Sequence, residues 1–298
     1  MNTNLIKANN LPEEELFYGH KACAGCGGAL AVRLALKVLG PRTFVVVPAN
    51  CMSAVGFLYP VMPFFVNALA SAFACTGAVM SGLEAGLRRR GITNFNVVGF
   101  AGDGGTADIG LQSLSGAIDR HDRVIYICYD NEAYMNTGVQ ESGLTPFGAK
   151  TTTSPVGKKI QGALSHKKSI FEMVAANNID YAATASIGYP LDYMNKVRKA
   201  KTHNGTSFIH VMAPCPTGWS LPTNQSISIA KEAVECGLWY LAEYENDHFT
   251  LNKKPKEFTS VEEYLKKQGR FKHLKKEQID NIVACRDKKW EKINEIWH

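Results

Sequence analysis

Several features are missing from this sequence, and each absence narrows what it encodes. No basic stretch leads into an apolar run at the amino terminus, so no secretory signal is expected and the chain reads as cytoplasmic. The net charge of +6 comes without a basic motif interleaved with aromatics, so nucleic acid is not an expected partner. The eight cysteines are not crowded into a small disulfide scaffold; in 298 residues they point to metal ligands or to thiols in a reducing compartment. Charge is wholly absent from 53–83, a length that invites a membrane span. Pro60, Pro63, Asn67, Ser71, Thr76 and Ser81 interrupt that stretch, and its second half is rich in small residues, so no span is expected. Small residues instead suit a helix packed closely on a sheet, a cofactor or another subunit.

What is present is organised around residues 102–138. Residues 96–101 read as a short buried strand. Ala107, Ile109, Leu111, Leu114, Ala117 and Ile118 form an apolar stripe at helical spacing, and 124–128 is a second apolar, β-rich run. Strand, helix, strand implies a right-handed crossover between parallel strands. Both strands then end on the sheet edge where open α/β folds bind ligands. Asp103 follows the first strand and Asn131 the second, so each offers an oxygen to one shared site. A hard cation such as Mg²⁺ takes one or two such side chains and completes its shell with phosphate and water. Gly102, Gly104 and Gly105 let the backbone approach a phosphate, and a helix start near Thr106 and Ala107 supplies free N–H groups. The plainer alternative is two unrelated turns; the complete unit between them favours a metal and a diphosphate.

Cysteines gather on the same edge. Cys23 and Cys26 form a CxxC pair among glycines ahead of an apolar-periodic helix, about 29–39. Such a pair can be a metal clip, a redox dithiol or chance; the thioredoxin-like reading weakens because no apolar strand leads into Cys23. Cys51 follows a β-branched strand at 43–47, and Cys215 follows another at 207–213. If these strands are parallel to the first two, four thiols meet near the Asp103 site. Four thiolates suit Zn²⁺ or an iron–sulfur cluster. One CxxC plus two scattered cysteines fits a [4Fe–4S] cluster better than a ribbon of two CxxC pairs. Cys128 and Cys236 read as core thiols. Cys75, at the start of a helix, reads either as a packed thiol or as a contact to substrate or partner.

These residues carry a family resemblance. The GDG run ending in Asn131 resembles the thiamine diphosphate motif, in which Asp and Asn ligate Mg²⁺ together with a main-chain carbonyl two residues past the Asn, here Ala133. Residues 134–138 (YMNTG) and 264–274 are similar to the β-subunit of pyruvate:ferredoxin oxidoreductase and its 2-oxoacid relatives. The resemblance runs from His20 onward and is strongest at 20–28, 99–148 and 207–219. It implies an α/β fold with a parallel sheet and helices on both faces, holding thiamine diphosphate, Mg²⁺ and a [4Fe–4S] cluster on Cys23, Cys26, Cys51 and Cys215. It also implies Gly27 beside the cofactor, and Asn136 and Thr137 lining its diphosphate and thiazolium side. The implied reaction is oxidative decarboxylation of a 2-oxoacid, pyruvate by default, with the acyl group passed to coenzyme A and single electrons to ferredoxin.

The remainder of the chain sets further expectations. Residues 1–18 read as a polar arm, 19–250 as the cofactor-binding domain, and 251–298 as a helical tail whose aromatic face packs on a partner or a second copy. Residues 140–162 read as a polar surface loop and 227–244 as one amphipathic helix. One diphosphate domain is half of a thiamine site, and no second cysteine-rich run is present. The resemblance therefore implies a pyrimidine-domain α-subunit, γ/δ-type subunits, and a chain inactive alone. Residues 62–67 are less polar than the pyruvate enzymes lead one to expect, and no acidic residue follows Phe73. Branched-chain, aromatic or oxalate-like substrates thus stay open, as do a non-redox thiamine half-enzyme and a zinc-stabilised nucleotide-binding module.

Overall fold

A computed structural model describes residues 5–159 and 161–296. Eight strands form one sheet in the order β2-β1-β3-β4-β6-β5-β7-β8. Six are parallel: β1 (Thr43–Pro48), β2 (Asn67–Ser71), β3 (Asn96–Gly102), β4 (Ile125–Asp130), β5 (Tyr181–Ser186) and β6 (Ser207–Met212). The last two, β7 (Leu241–Glu245) and β8 (His248–Lys253), extend one edge antiparallel. The helices are α1 (Gly27–Leu39), α2 (Cys51–Gly56), α3 (Thr76–Arg89), α4 (Asp103–Ala107), α5 (Leu111–Asp119), α6 (Ile170–Ala175), α7 (Pro190–Ala200), α8 (Pro216–Trp219), α9 (Ser226–Glu235), α10 (Val261–Lys266) and α11 (Lys276–Ile296).

The central strands β3, β4, β5 and β6 are buried nearly end to end, as parallel strands covered on both faces must be. Helices α1 and α7 cover one face, with Val32, Leu36, Val47, Phe100, Ile127 and Val211 in the core beneath. On the other face α3, α5 and α6 enclose Met80, Val97, Leu114, Ile118, Phe171 and Phe208. From β1 the chain moves outward to β2, then returns to the other side of β1 for β3. The resulting crevice between β1 and β3 is the topological switch point, where open α/β sheets take ligands. Asn50 Nδ2 spans it, donating to the Phe100 carbonyl at 2.9 Å.

Several expectations are corrected. The stripe read as one helix is two, α4 and α5, because Gly110 packs against the Gly105 carbonyl, where a Cβ would meet oxygen at 2.1 Å. The amphipathic run at 227–244 stops after α9, and Gly237 (φ +78°) turns the chain into β7. Strand β8 lies across the expected boundary at 250. The amino-terminal arm is held by its own chain: Phe17 is fully buried, Glu15 pairs with Arg33 and Lys37, and Asn195 bonds the backbone of Ile6. The aromatic face of the tail also turns inward. Tyr264, Leu265, Phe271 and Ile282 pack on Trp219, Val234 and Trp239, and Trp290 Nε1 donates to the Gly237 carbonyl at 2.8 Å. The uncharged 53–83 stretch is not one helix; α2 leads through a loop to the edge strand β2 and then α3. Among the described residues, no helix is long and apolar enough to cross a membrane.

Candidate functional site

Four parallel strands, β1, β3, β4 and β6, end on one edge; Asp103 and Asn131 follow β3 and β4 directly, and Cys51 and Cys215 lie three residues past the ends of β1 and β6. Asp103 opens α4, with Gly102 as its extended cap. One terminal atom of the Asn131 amide lies 2.9 Å from Asp103 Oδ1 and 2.9 Å from the Ala133 carbonyl oxygen. With nitrogen there, the amide donates to both. With oxygen there, three acceptors face one another, which is stable only around a cation. Mg–O bonds of 2.0–2.1 Å put adjacent oxygens of an octahedron about 2.9 Å apart, which is the spacing of the Asn131 atom from each of the other two. Ser142 Oγ donates to Asp103 Oδ2, leaving Oδ1 turned toward Asn131. Burial, then the charge of Asp130, pushes the Asp103 carboxyl well above its ordinary range.

Glycines of the GDGG run are required by neighbouring rings. A Cβ on Gly104 would meet the Tyr134 ring at 2.2 Å, and one on Gly105 would meet Phe73 at 3.0 Å. Tyr134 is fixed there by donating to Asp108 Oδ2 at 2.8 Å. The segment read as a polar surface loop is partly buried and clamps the site. Ser142, Thr145, Thr151 and Ser154 are all buried, and Thr145 Oγ1 donates to the Glu132 carbonyl at 2.8 Å. Lys158 and Lys159 remain exposed.

A set of charges that sequence reasoning missed lies directly behind Asn131. Lys167 Nζ bonds Asp130 Oδ2 and Glu132 Oε1, each at 2.7 Å. His210 Nε2 meets Asp130 Oδ2 at 2.8 Å, and Arg270 pairs with Glu132 while lying 3.8 Å from the Trp219 ring centre. Trp219 Nε1 in turn donates to the Asn131 carbonyl at 2.8 Å. Burial alone would push the Asp130 carboxyl up, but Lys167 and His210 outweigh it and hold it at about 2. The Asp130 carboxylate beside Asn131 is thus held as an anion. Arg270 is 138 residues from Glu132, so no local spacing reveals the pair; the alternating Asp130–Asn131–Glu132 run is the one available hint.

The cysteines are neighbours. Cys26 feels the charges of Cys215 and Cys23; Cys51 feels those of Cys215, Cys26 and Cys23; Cys215 feels that of Cys23. All six pairs among the four are therefore in electrostatic contact. Cys26 Sγ accepts from Ala29 N at 3.4 Å and Cys215 Sγ from Gly218 N at 3.4 Å, each capping the helix that follows. Cys51 begins α2. Gly27 N donates to the Pro214 carbonyl at 3.1 Å, an approach that a Cβ on Gly27 would block at 2.6 Å from Ala213 C. The CxxC turn is thereby tied to the strand end that carries Cys215. Burial pushes up the Cys26 and Cys215 thiols, and Cys51 to about 12. Only a bound cation or cluster would ionise them. Among the described residues, no three His, Cys, Asp or Glu side chains are gathered tightly enough to chelate a single ion.

Other expected residues fall where the sequence leaves room. Cys75 caps α3 beside Phe73 and is half-buried; Cys128 and Cys236 are buried, and Cys285 is exposed. Asn136 and Thr137 are exposed on the turn closed by the Tyr134–Gln140 bridge, rather than packed against Asp103. That turn joins the oxygen-bearing group to the thiols. Tyr134 covers Gly104, and Met135 Sδ fills the space beside Gly218, next to Cys215. At the far edge, Leu58, Tyr59, Met62, Phe65 and Leu69 are exposed around β2, Tyr59 by 93%.

Residues 24–211 match the family described as thiamine pyrophosphate enzyme, C-terminal TPP binding domain. The chain is 47% identical to ketoisovalerate oxidoreductase subunit VorB of Pyrococcus horikoshii, over 95% of this chain and 94% of that protein. It is 51% identical to pyruvate synthase subunit PorB of Methanothermobacter marburgensis, over 91% of this chain and 95% of that protein. Among solved structures it is similar in fold to 2-oxoglutarate:ferredoxin oxidoreductase from Magnetococcus marinus, with a TM-score of 0.59 at 21% identity, over 70% of this chain and 69% of that one.

Proposed function

This chain belongs to the β-subunits of the 2-oxoacid:ferredoxin oxidoreductases, thiamine diphosphate enzymes, and from that premise we propose that its substrate is pyruvate. We assign Mg²⁺ to Asp103, Asn131 and the Ala133 carbonyl, and a [4Fe–4S] cluster to Cys23, Cys26, Cys51 and Cys215. The observation that carries the reading is the Asn131 amide 2.9 Å from both Asp103 Oδ1 and the Ala133 carbonyl oxygen at the switch-point edge, on the same edge as Cys51 and Cys215. Bound there, thiamine diphosphate supplies the nucleophilic ring that adds to the keto carbon and takes up the electron pair left as CO₂ departs, and the cluster supplies a one-electron route out.

This chain's own residues position and insulate. Ser142 orients Asp103, and the Lys167 and Arg270 ion pairs hold the backbone on either side of Asn131. Tyr134 and Phe73 wall off the GDGG loop from water. Gly27 closes the thiol group, and the amides of Ala29 and Gly218 offer their protons to Cys26 and Cys215. Asn136 and Thr137, on the exposed turn, are assigned to the rim where the missing half of the cofactor site closes.

That missing half is the pyrimidine domain of an α-subunit. The exposed apolar edge around Leu58, Tyr59, Met62 and Phe65 supports its docking there. We assign residues 1–18 to an arm, the stretch from 19 to the end of β8 to the cofactor domain and the residues after it, to 298, to a tail whose outer face contacts further γ/δ-type subunits. Coenzyme A and ferredoxin are the expected co-substrate and acceptor, in the cytoplasm. A branched 2-oxoacid is the second reading, favoured by the Pyrococcus relative and by the apolar Phe73 beside the GDGG loop. The test is the purified complex assayed on a panel of 2-oxoacids with coenzyme A and dye reduction, alongside metal analysis. Fastest turnover on pyruvate with iron and acid-labile sulfide supports the proposal. Preference for a branched acid transfers it to the second reading, and zinc without sulfide overturns the cluster assignment.

A further inference from the structure

Tyr129 lies two residues before Asn131 in β4, in register with Gly102 on β3 and Val211 on β6. Its ring is buried in the core. One edge covers Gly28, where a Cβ would stand 3.2 Å from the ring, and the hydroxyl covers Gly102, 3.7 Å from where a Cβ would stand. The ring thus spans from the start of α1, just after the CxxC turn, to the residue that precedes Asp103. It stands between the thiol group and the three-oxygen group.

The Tyr129 hydroxyl is cut off from solvent and meets no acceptor for its proton, though its oxygen lies within reach of the Met52 N–H. The neighbouring backbone donor, Met52 N–H, is committed to Asn50 Oδ1 at 2.8 Å, and as a donor it could not take the phenolic proton in any case. Burial keeps this hydroxyl neutral, and the ionisable groups that bear on it are Cys51, Cys26 and Asp103. Buried hydroxyls are almost always paired. An orphaned donor surrounded by ligands, all of them acceptors once ionised, marks the direction of an acceptor that arrives with the ligand.

We infer that Tyr129 is a positioning residue whose hydroxyl donates a hydrogen bond to sulfur on the Cys51 side of the iron–sulfur site and so raises the cluster's reduction potential. This rests on the cluster assignment proposed above. A hydrogen bond to sulfur stabilises the more negative, reduced state more than the oxidised one. The same hydroxyl fills the boundary between the two cofactor sites without adding a charge to either.

The experiment is an anaerobic EPR-monitored redox titration of the assembled complex. The signal belonging to this chain is identified as the one lost in Cys215→Ala. Tyr129→Phe should retain wild-type iron and sulfide while its midpoint moves negative. Tyr126→Phe, a buried tyrosine whose hydroxyl instead meets Thr106 Oγ1 at 3.3 Å, should leave the midpoint unmoved. Placing 3,5-difluorotyrosine, a stronger donor of the same shape, at position 129 should move the midpoint positive, and it decides the matter if Tyr129→Phe loses the cluster. A fully loaded complex whose midpoint ignores both changes at 129 overturns the inference. A wild-type chain with no sulfide overturns instead the cluster assignment on which it rests.

Discussion

Replacing Lys167 with methionine keeps most of the side-chain volume and removes its charge. The ammonium touches Asp130 and Glu132 at 2.7 Å, and those carboxylates are 0% and 4% exposed. Removing one partner of a buried ion pair costs about 3–5 kcal/mol, most of it from the charge left behind. Neither carboxylate is left alone here, since Asp130 keeps His210 and Glu132 keeps Arg270. The lower end is therefore expected, about 3 kcal/mol. For a chain of this size that lowers an apparent melting midpoint by roughly 5 °C. Asp130 and Glu132 flank Asn131, so Mg²⁺-dependent affinity for thiamine diphosphate should fall as well. The pH dependence has a definite sign. With Asp130 held at about 2 against an ordinary 3.8, its stabilisation is complete above pH 3.8 and is lost as pH falls toward 2. The variant lacks the share due to Lys167, so the gap between the two proteins should narrow over that window. Thermal unfolding of the assembled complex by circular dichroism, from neutral pH downward, measures the gap; quenching of tryptophan fluorescence measures cofactor affinity. A midpoint within about 2 °C of wild type at neutral pH, or a gap that does not change on acidification, would refute the argument.

Other predictions follow from the same geometry. Asp103→Ala should abolish Mg²⁺-dependent binding of thiamine diphosphate while leaving the circular dichroism spectrum intact, because the site loses its only carboxylate; unchanged affinity by calorimetry would rule out the metal assignment. Trp290→Ala should destabilise the chain by about 3–5 kcal/mol, since the tail is packed on its own domain; a change under 1 kcal/mol in denaturant unfolding would return the tail to a partner-docking role. Phe65→Asp, at an exposed ring stacked 4.0 Å from Tyr18, should leave the chain folded but block assembly with its partner subunits. Size-exclusion chromatography of the co-expressed complex tests that, and normal assembly would move the interface elsewhere.

The parts of this fold visible in the sequence are those with local causes. Strands β1, β3, β4 and β6 are short apolar runs, and each is followed by one of the candidate residues, so a parallel sheet was enough to bring Cys51, Asp103, Asn131 and Cys215 to one edge. Hidden from the sequence were arrangements set by distant neighbours. Leu238, Trp239 and Tyr240 continue the apolar character of α9, and only the left-handed Gly237 separates that helix from β7. Residues 140–162 are polar yet partly interior, because Ser142, Thr145 and Ser154 satisfy one another and the backbone without water. Apolar residues in the tail announce that a face is buried but not on what; here it is on α9 and the strands beside it. The Asp130–Lys167–Glu132–Arg270 set joins three separate segments and has no periodicity to read.

The hydrogen bond from Gly27 to Pro214 also imposes an order of events during synthesis. A chain emerging from the ribosome presents Cys23, Cys26 and Cys51 early, but Cys215 lies beyond β6, and the carbonyl that steadies the CxxC turn comes with it. Until that strand has inserted between β4 and β5, three thiols face solvent with no fourth and no anchor. A cluster held by all four, as proposed above, would be loaded only onto a finished sheet, and nascent chains stalled before β6 should then carry no iron. Delivery of such a cluster would double as quality control, because a subunit whose sheet has not closed has no complete site to fill.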